Sequence, residues 1–149
     1  MQFRGQSYRN IDSKGRVILP PGYRETLDEY SSEGSFVLTT YDNCIVGYPE
    51  PQWKEIEEKF SKLRNSSKKL RDFRRLFLGG AEKQSLDLQG RVRISRAHIE
   101  YAKLDHEIVV LGQGEHFEIW DQNRFKALLE QDFDDVADEL VESGIDFPL

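Results

Sequence analysis

The chain has 149 residues, a formal net charge of −6, 38% hydrophobic residues and one cysteine. That length suits one domain or two small ones, the acidity argues against a generic nucleic-acid binder, and Cys44 alone cannot close an intrachain disulfide. No leader pattern opens the chain and no apolar run approaches the roughly 18 residues of a membrane span, so a soluble, cytoplasmic protein with no membrane partner is expected.

Residues 7–11 read as a short strand, 12–15 as a turn and 16–19 as a second strand. Asp12 at the first turn position can accept from backbone N–H groups ahead of it, and Gly15 at the fourth suits a type I turn or its bulged variant. Pro20-Pro21 stops the strand and opens a helix over residues 23–30. Residues 36–39 and 44–48 read as a hairpin around Tyr41-Asp42-Asn43, ended by Pro49 and Pro51. Trp53, Ile56, Phe60 and Leu63 then recur at helical spacing. Ser66 or Ser67 can cap a further helix, with Leu70, Phe73, Leu76 and Phe77 expected inward and Gly79-Gly80 at its end. Residues 83–86 and 91–94 flank a second turn, and residues 96–102 form a short helix. Residues 108–111 and 117–120 make a hairpin around Gly112-Gln113-Gly114, and Asp121 can cap a helix carrying Phe125, Leu128 and Leu129. Strands then helix, twice, predict a mixed α+β fold.

The order repeats because the sequence does. Ile11-Asp12-Ser13-Lys14-Gly15-Arg16-Val17 recurs as Leu86-Asp87-Leu88-Gln89-Gly90-Arg91-Val92, an offset of 75 residues. Later elements match at an offset of 72: Phe36-Val37-Leu38 with Ile108-Val109-Val110, and Trp53 with Phe125. The first copy is thus three residues longer, and the loop composition of residues 31–34 is where the insertion is expected. This divides the chain into a first repeat at 7–53, a helical link at 54–80, a second repeat at 81–124 and an acidic, helical C-terminal segment at 125–149. Half a chain of this length is marginal alone, so the halves are expected to share a core or to complete it with neighbouring subunits.

Charge is unevenly placed: residues 1–80 carry a net +3 and residues 81–149 a net −9. In the first 24 residues, Arg4, Arg9, Lys14, Arg16 and Arg24 face only Asp12, so this edge can be an anion-binding patch on an acidic protein. Arg16 and Arg91 have two readings, a DNA contact or a pair with their own Asp12 and Asp87 that locks a hairpin across the turn. Asp12, Gly15, Asp87 and Gly90 read as turn formers. Arg93 replaces the apolar Ile18 of the first copy and is expected to face solvent or a neighbour. The basic run between Lys62 and Arg75 is a DNA strip, a solvated helix face, or a surface that pairs with the acidic tail of the next subunit. That tail is solvated, or partly helical through Val136, Leu140 and Val141. His98, His106 and His116 lack metal-ligand spacing, Cys44 reads as a small core residue, and Gly112-x-Gly114 does not open a helix as a phosphate loop would. No catalytic residue, metal or cofactor is expected.

Phe3-Arg4-Gly5, the turn Asp12-Ser13-Lys14-Gly15-Arg16, the link Leu76-Phe77-Leu78-Gly79-Gly80-Ala81-Glu82 and the turn Asp87-Leu88-Gln89-Gly90-Arg91 resemble the MraZ family. These are bacterial transcriptional regulators encoded at the head of the division and cell-wall gene cluster. The resemblance spans nearly the whole chain and weakens after about Asp132. It implies two SpoVT-AbrB-like β units of the double-split β-α-β type, related by a pseudo-two-fold with interleaved helices. It also implies a ring-shaped homo-oligomer, a nucleoid-associated location, and binding of double-stranded DNA at short repeats in the protein's own promoter. The DNA contacts it implies are Lys14 and Arg16 in the first turn and Arg91 in the second. Gln2, Ser95 in place of proline, and Leu88-Gln89 in place of Ser13-Lys14 depart from the pattern. The second turn lacks the lysine, so the first is the expected contact surface. Arg16 would then reach guanine O6 and N7, while Lys14, Arg9 and Arg4 engage phosphates. The competing reading is a ring-forming protein-interaction module without a specific DNA target.

Overall fold

Two uninterrupted β-prone runs make a hairpin within the sheet: β3 (Phe36–Tyr41) and β4 (Cys44–Pro49). The computed structural model describes residues 2–148. Tyr41 pairs with Cys44, so Asp42 and Asn43 are the two loop residues of the hairpin. Both have positive φ, 52° and 67°, the backbone of a type I′ turn, which matches the twist of its strands.

The other strands are β1 (Gln6–Asn10), β2 (Arg16–Ile18), β5 (Glu82–Gln84), β6 (Arg91–Arg93), β7 (Glu107–Gly112) and β8 (Phe117–Asp121). Six of the eight strands form an antiparallel sheet in the order β1-β7-β8-β4-β3-β5, and β2 with β6 forms a separate two-stranded ribbon. The strands flanking each Asp-x-x-Gly turn therefore do not pair with each other as a hairpin, contrary to the sequence reading. β1 pairs with β7 of the other half, β5 with β3, and β2 with β6. Each turn redirects the chain from the large sheet into the ribbon, and these strands of three to five ladder positions find partners across the halves.

Period-two alternation gives the sheet two buried faces. On one face, Phe36, Leu38, Ile45, Ile108, Val110 and Ile119 meet Val17 and Val92 of the ribbon, Tyr23 and Leu27 of α1 (Pro21–Tyr30) and Ala102 of α4 (Arg96–Ala102). On the other, Val37, Val46, Cys44 and Val109 meet Trp53 of α2 (Glu50–Ser61), Phe77 of α3 (Lys68–Phe77) and Phe125 of α5 (Gln122–Leu129). Both clusters draw on both halves, so the core is shared. Phe117 lies against Phe3, Tyr23 and Phe36, with ring centroids 5.3, 5.2 and 5.9 Å away. It sits over Gly47, where a Cβ would come within 2.2 Å of the ring. Cys44 is fully buried, and burial pushes its thiol up, as a packing residue requires.

Capping follows the expected chemistry. Ser67, not Ser66, accepts from the Leu70 N–H at 3.1 Å, and Asp121 accepts from the Asn123 and Arg124 N–H groups at 3.1 and 3.2 Å. Three details differ from the sequence reading. The extra length of the first half lies in α1, which has 10 residues against 7 in α4, rather than in residues 31–34. Leu76 is 59% exposed, because at 3.6 residues per turn it projects about 90° away from Leu70, Phe73 and Phe77. Leu63 lies beyond the end of α2 and is exposed. The C-terminal segment forms α6 (Val136–Glu142), which buries none of its residues.

Candidate nucleic-acid interface

The two Asp-x-x-Gly-Arg turns are built by the same bonds. In the first, Asp12 N–H donates to Arg16 O and Gly15 N–H to Asp12 O, both at 3.0 Å; in the second, Asp87 N–H donates to Arg91 O and Gly90 N–H to Asp87 O, also at 3.0 Å. Asp12 Oδ1 accepts from the Lys14 and Arg16 amides at 2.9 and 2.8 Å, and Oδ2 accepts from Arg16 Nε at 2.7 Å. Asp87 does the same with the Gln89 and Arg91 amides at 2.9 and 2.8 Å and with Arg91 Nε at 2.8 Å. Gly15 and Gly90 both have φ of 78°, a region glycine enters without the Cβ penalty.

This geometry sets the electrostatics. The Arg16 backbone N–H is the main cause holding the Asp12 carboxyl at about 2, assisted by the Arg16 side chain and the Lys14 amide. Asp87 is likewise lowered, first by the Arg91 backbone N–H. Each carboxylate is therefore ionised and fixes the Nε edge of its arginine. Among the described residues, neither Arg16 nor Arg91 makes a further side-chain hydrogen bond. The terminal nitrogens of both guanidinium groups are thus left to meet a ligand.

The ribbon brings the two turns into one surface. Val17 faces Val92 across it, and both are buried. Alternation then places Arg16, Ile18, Arg91 and Arg93 together on the outer face, with Arg16 opposite Arg93 and Ile18 opposite Arg91. Each turn is also docked on the strand end from the other half: Ile94 N–H donates to Gly15 O at 2.7 Å, and Leu19 N–H to Gly90 O at 3.0 Å. Arg93 Nε donates to Lys14 O at 3.1 Å, and Arg24 donates to Asp87 O. The Lys14 side chain is exposed at the tip of the first turn, whereas Leu88 is exposed at the tip of the second.

The remaining candidates are not all at this surface. Arg9 is half-buried in β1, two residues before Ile11, and its Nε is buried without a partner among the described residues. Arg4 lies at the other end of β1, beside Gly112, and does not join the turn. Arg93 is the member that the sequence reading did not assign to this site, and Arg24, which it counted in the basic N-terminal edge, was not among its DNA contacts. Their places depend on β2–β6 pairing across the halves, for which the local sequence carries no signal.

This surface can hold an anion and can present planar, forked donors at fixed positions, the chemistry that suits phosphate and guanine. The chain is matched twice by one family model, described as "MraZ protein, putative antitoxin-like", over residues 2–76 and 77–144. It is 58% identical over 147 residues to a protein of Nitratidesulfovibrio vulgaris strain Hildenborough named transcriptional regulator MraZ, covering 99% of each chain. Proteins of the same name from N. vulgaris strain Miyazaki F and Oleidesulfovibrio alaskensis are 55% and 50% identical, each over 149 residues and all of both chains.

Proposed function

The chain belongs to the MraZ family, and from that premise we propose that it is a sequence-specific, DNA-binding transcriptional regulator and not an enzyme. In this reading residues 7–53 and 81–124 are two SpoVT-AbrB-like repeats, residues 54–80 are a helical link, and copies of the chain form a ring. Several turns of the ring engage tandem repeats in the promoter of the division and cell-wall gene cluster that contains this gene, and the bound ring represses it. The protein acts in the cytoplasm, on the nucleoid.

The observation that carries the reading is the fixing of Arg16 by Asp12. A carboxylate that accepts from Arg16 Nε and from the Lys14 and Arg16 amides aims the guanidinium while leaving its outer edge free. Pairing with Asp12 and contact with DNA are therefore not alternatives: the first positions the residue for the second. A β turn or ribbon can enter the major groove. There Arg16 reads guanine O6 and N7, Lys14 and Arg9 engage phosphates, and Arg91 with Arg93 continues the cationic face along the ribbon. Arg4, at the far end of β1, stays outside this contact set. One turn binds weakly, but several turns at fixed spacing on tandem repeats can add about 10²–10⁴ in avidity. This is how a chain of net charge −6 can bind DNA, because the face presented matters more than the sum.

The second reading, a ring-forming protein-interaction module, is favoured by the fully exposed Leu88 at the tip of the second turn. A reporter fused to the region upstream of the gene separates the two. Expression of the protein should lower transcription, and scrambling the upstream repeats should abolish the effect. A reporter indifferent to the protein would favour the interaction module.

A further inference from the structure

The acidic tail and the outer, basic face of helix α3 each lack a partner of opposite charge from elsewhere in the chain among the described residues, and they fit each other. Residues 127–149 contain eight acidic residues and no lysine or arginine. Within them α6 buries nothing, and Phe133, Val136, Leu140, Val141 and Ile145 line an open apolar groove of about 410 Å³. Val141 is 78% exposed. Among the described residues, the only hydrogen bonds from residues 130–148 to the rest of the chain close the last turn of α5, through the Glu130 and Gln131 amides. A helix of seven residues is not stable in isolation, and this one exposes apolar surface between rows of like charge.

Residues 62–75 carry seven basic residues against one acid, Asp72. Asp72 pairs with Lys68 and Arg75 at 2.6 and 2.7 Å. Lys69, Arg71 and Arg74 have no carboxylate partner among the described residues; Arg71 and Arg74 donate only to the Ser66 and Phe60 carbonyls. Exposed Leu63 and Leu76 lie at the two ends of this run. The surface thus offers cations flanked by apolar side chains, as the tail offers carboxylates flanked by them.

We infer that the C-terminal segment of one copy docks on α3 of the next copy in the oligomer; this rests on the oligomeric reading above. Within one chain α5, which leads into the tail, packs over β7 and β8 whereas α3 packs over β3, and among the described residues no hydrogen bond or ion pair joins the tail to α3. Two different surfaces that complement each other make a head-to-tail contact, the kind that generates a ring when the rotation closes. Charge complementarity selects a second copy of this chain, since the acidic tail and its basic receptor are both supplied by it.

The test uses full-length chains and charge reversal. One variant carries Asp138→Lys and Glu142→Lys, a second carries Lys69→Glu and Arg71→Glu, and a third carries all four. Sedimentation velocity at low and high salt reads association, and circular dichroism checks the fold. Each two-residue reversal should weaken association about tenfold at low salt, from a few partly exposed pairs turned repulsive. The four-residue variant should recover, and so should an equimolar mixture of the two singly reversed chains, in which every tail can meet an opposite α3. Association unchanged by the reversals overturns the proposal. Recovery in the four-residue variant without recovery in the mixture also overturns it, by placing the contact within one chain. If the Lys69→Glu, Arg71→Glu chain associates normally but loses DNA, α3 is a DNA strip and the proposal falls. A wild-type chain that is monomeric at every concentration removes the oligomeric reading itself, and this contact with it.

Discussion

Replacing Arg16 by alanine removes the Nε–H bond to Asp12 Oδ2 but leaves Oδ1 accepting from the Lys14 and Arg16 amides at 2.9 and 2.8 Å. The turn should therefore persist, since alanine keeps its backbone N–H and so exposed an ion pair adds little to stability. Binding should respond very differently. A guanidinium on guanine O6 and N7 contributes about 1–3 kcal/mol of discrimination, or about 5- to 150-fold per turn. Two turns engaged on one duplex multiply this to at least about 30-fold. The assay is anisotropy of a labelled upstream duplex, run beside thermal melting and sedimentation of the same preparations. Arg16→Lys is the companion variant. It keeps the charge but not the planar fork, so it should lose discrimination while retaining much of the salt dependence. Wild-type affinity in Arg16→Ala would refute the role in reading, and a collapsed melt or lost oligomer would assign Arg16 to structure alone.

Other expectations follow from the same turn. Asp12→Ala should lower DNA affinity about as far as Arg16→Ala, because the guanidinium is no longer aimed; anisotropy with the same duplex checks this. The depressed Asp12 carboxyl gives a pH dependence of definite sign: its contribution is fully present above the ordinary 3.8 and is lost as pH falls through about 2. Protection of the Lys14 and Arg16 amides, taken relative to their intrinsic exchange rates, should hold at pH 5 and fall toward pH 2. Gly15→Ala and Gly90→Ala both incur about 1–2 kcal/mol for a left-handed backbone. Gly15→Ala also brings a Cβ to 2.9 Å from Ile94 O, whereas at Gly90 a Cβ meets nothing within 4 Å among the described residues beyond its chain neighbours. Urea unfolding should therefore show the larger loss at Gly15. Gln89→Lys gives the second turn the lysine of the first, and should steepen the salt dependence by about 0.9 per new phosphate contact. An unchanged slope would place the second turn away from DNA.

The parts legible in the sequence are those decided within a few residues. Asp-x-x-Gly specifies its turn because the carboxylate and the amides it accepts from are neighbours in the chain, and Ser67 and Asp121 cap helices by the same short-range logic. The β3–β4 and β7–β8 hairpins were visible as apolar runs separated by turn residues. What local pattern does not carry is the partner of a short strand. Gln6 pairs with Leu111 and Arg16 with Arg93, and no nearby feature distinguishes these from a simple hairpin across each turn. That pairing decides the site: it puts Arg91 and Arg93 beside Arg16 and leaves Arg4 at the far end of β1. The offset of 75 marked Arg16 and Arg91 as equivalent, but their meeting on one ribbon is a property of the three-dimensional swap. Leu76 shows the same limit on a smaller scale, since an apolar residue at near-helical spacing can still lie a quarter-turn off the buried face.

Sequence-specific binding is tested most directly by anisotropy of the full-length protein with a duplex from immediately upstream of its gene and with a shuffled duplex, across a salt series. The turns as described should bind the upstream duplex about 10³-fold or more tightly than the shuffled one, with affinity falling as salt rises, at a slope of about 0.9 per phosphate contacted. Equal weak binding to both duplexes, or binding to neither, would leave the cationic ribbon without a DNA-reading role and make a protein partner the better occupant of this surface.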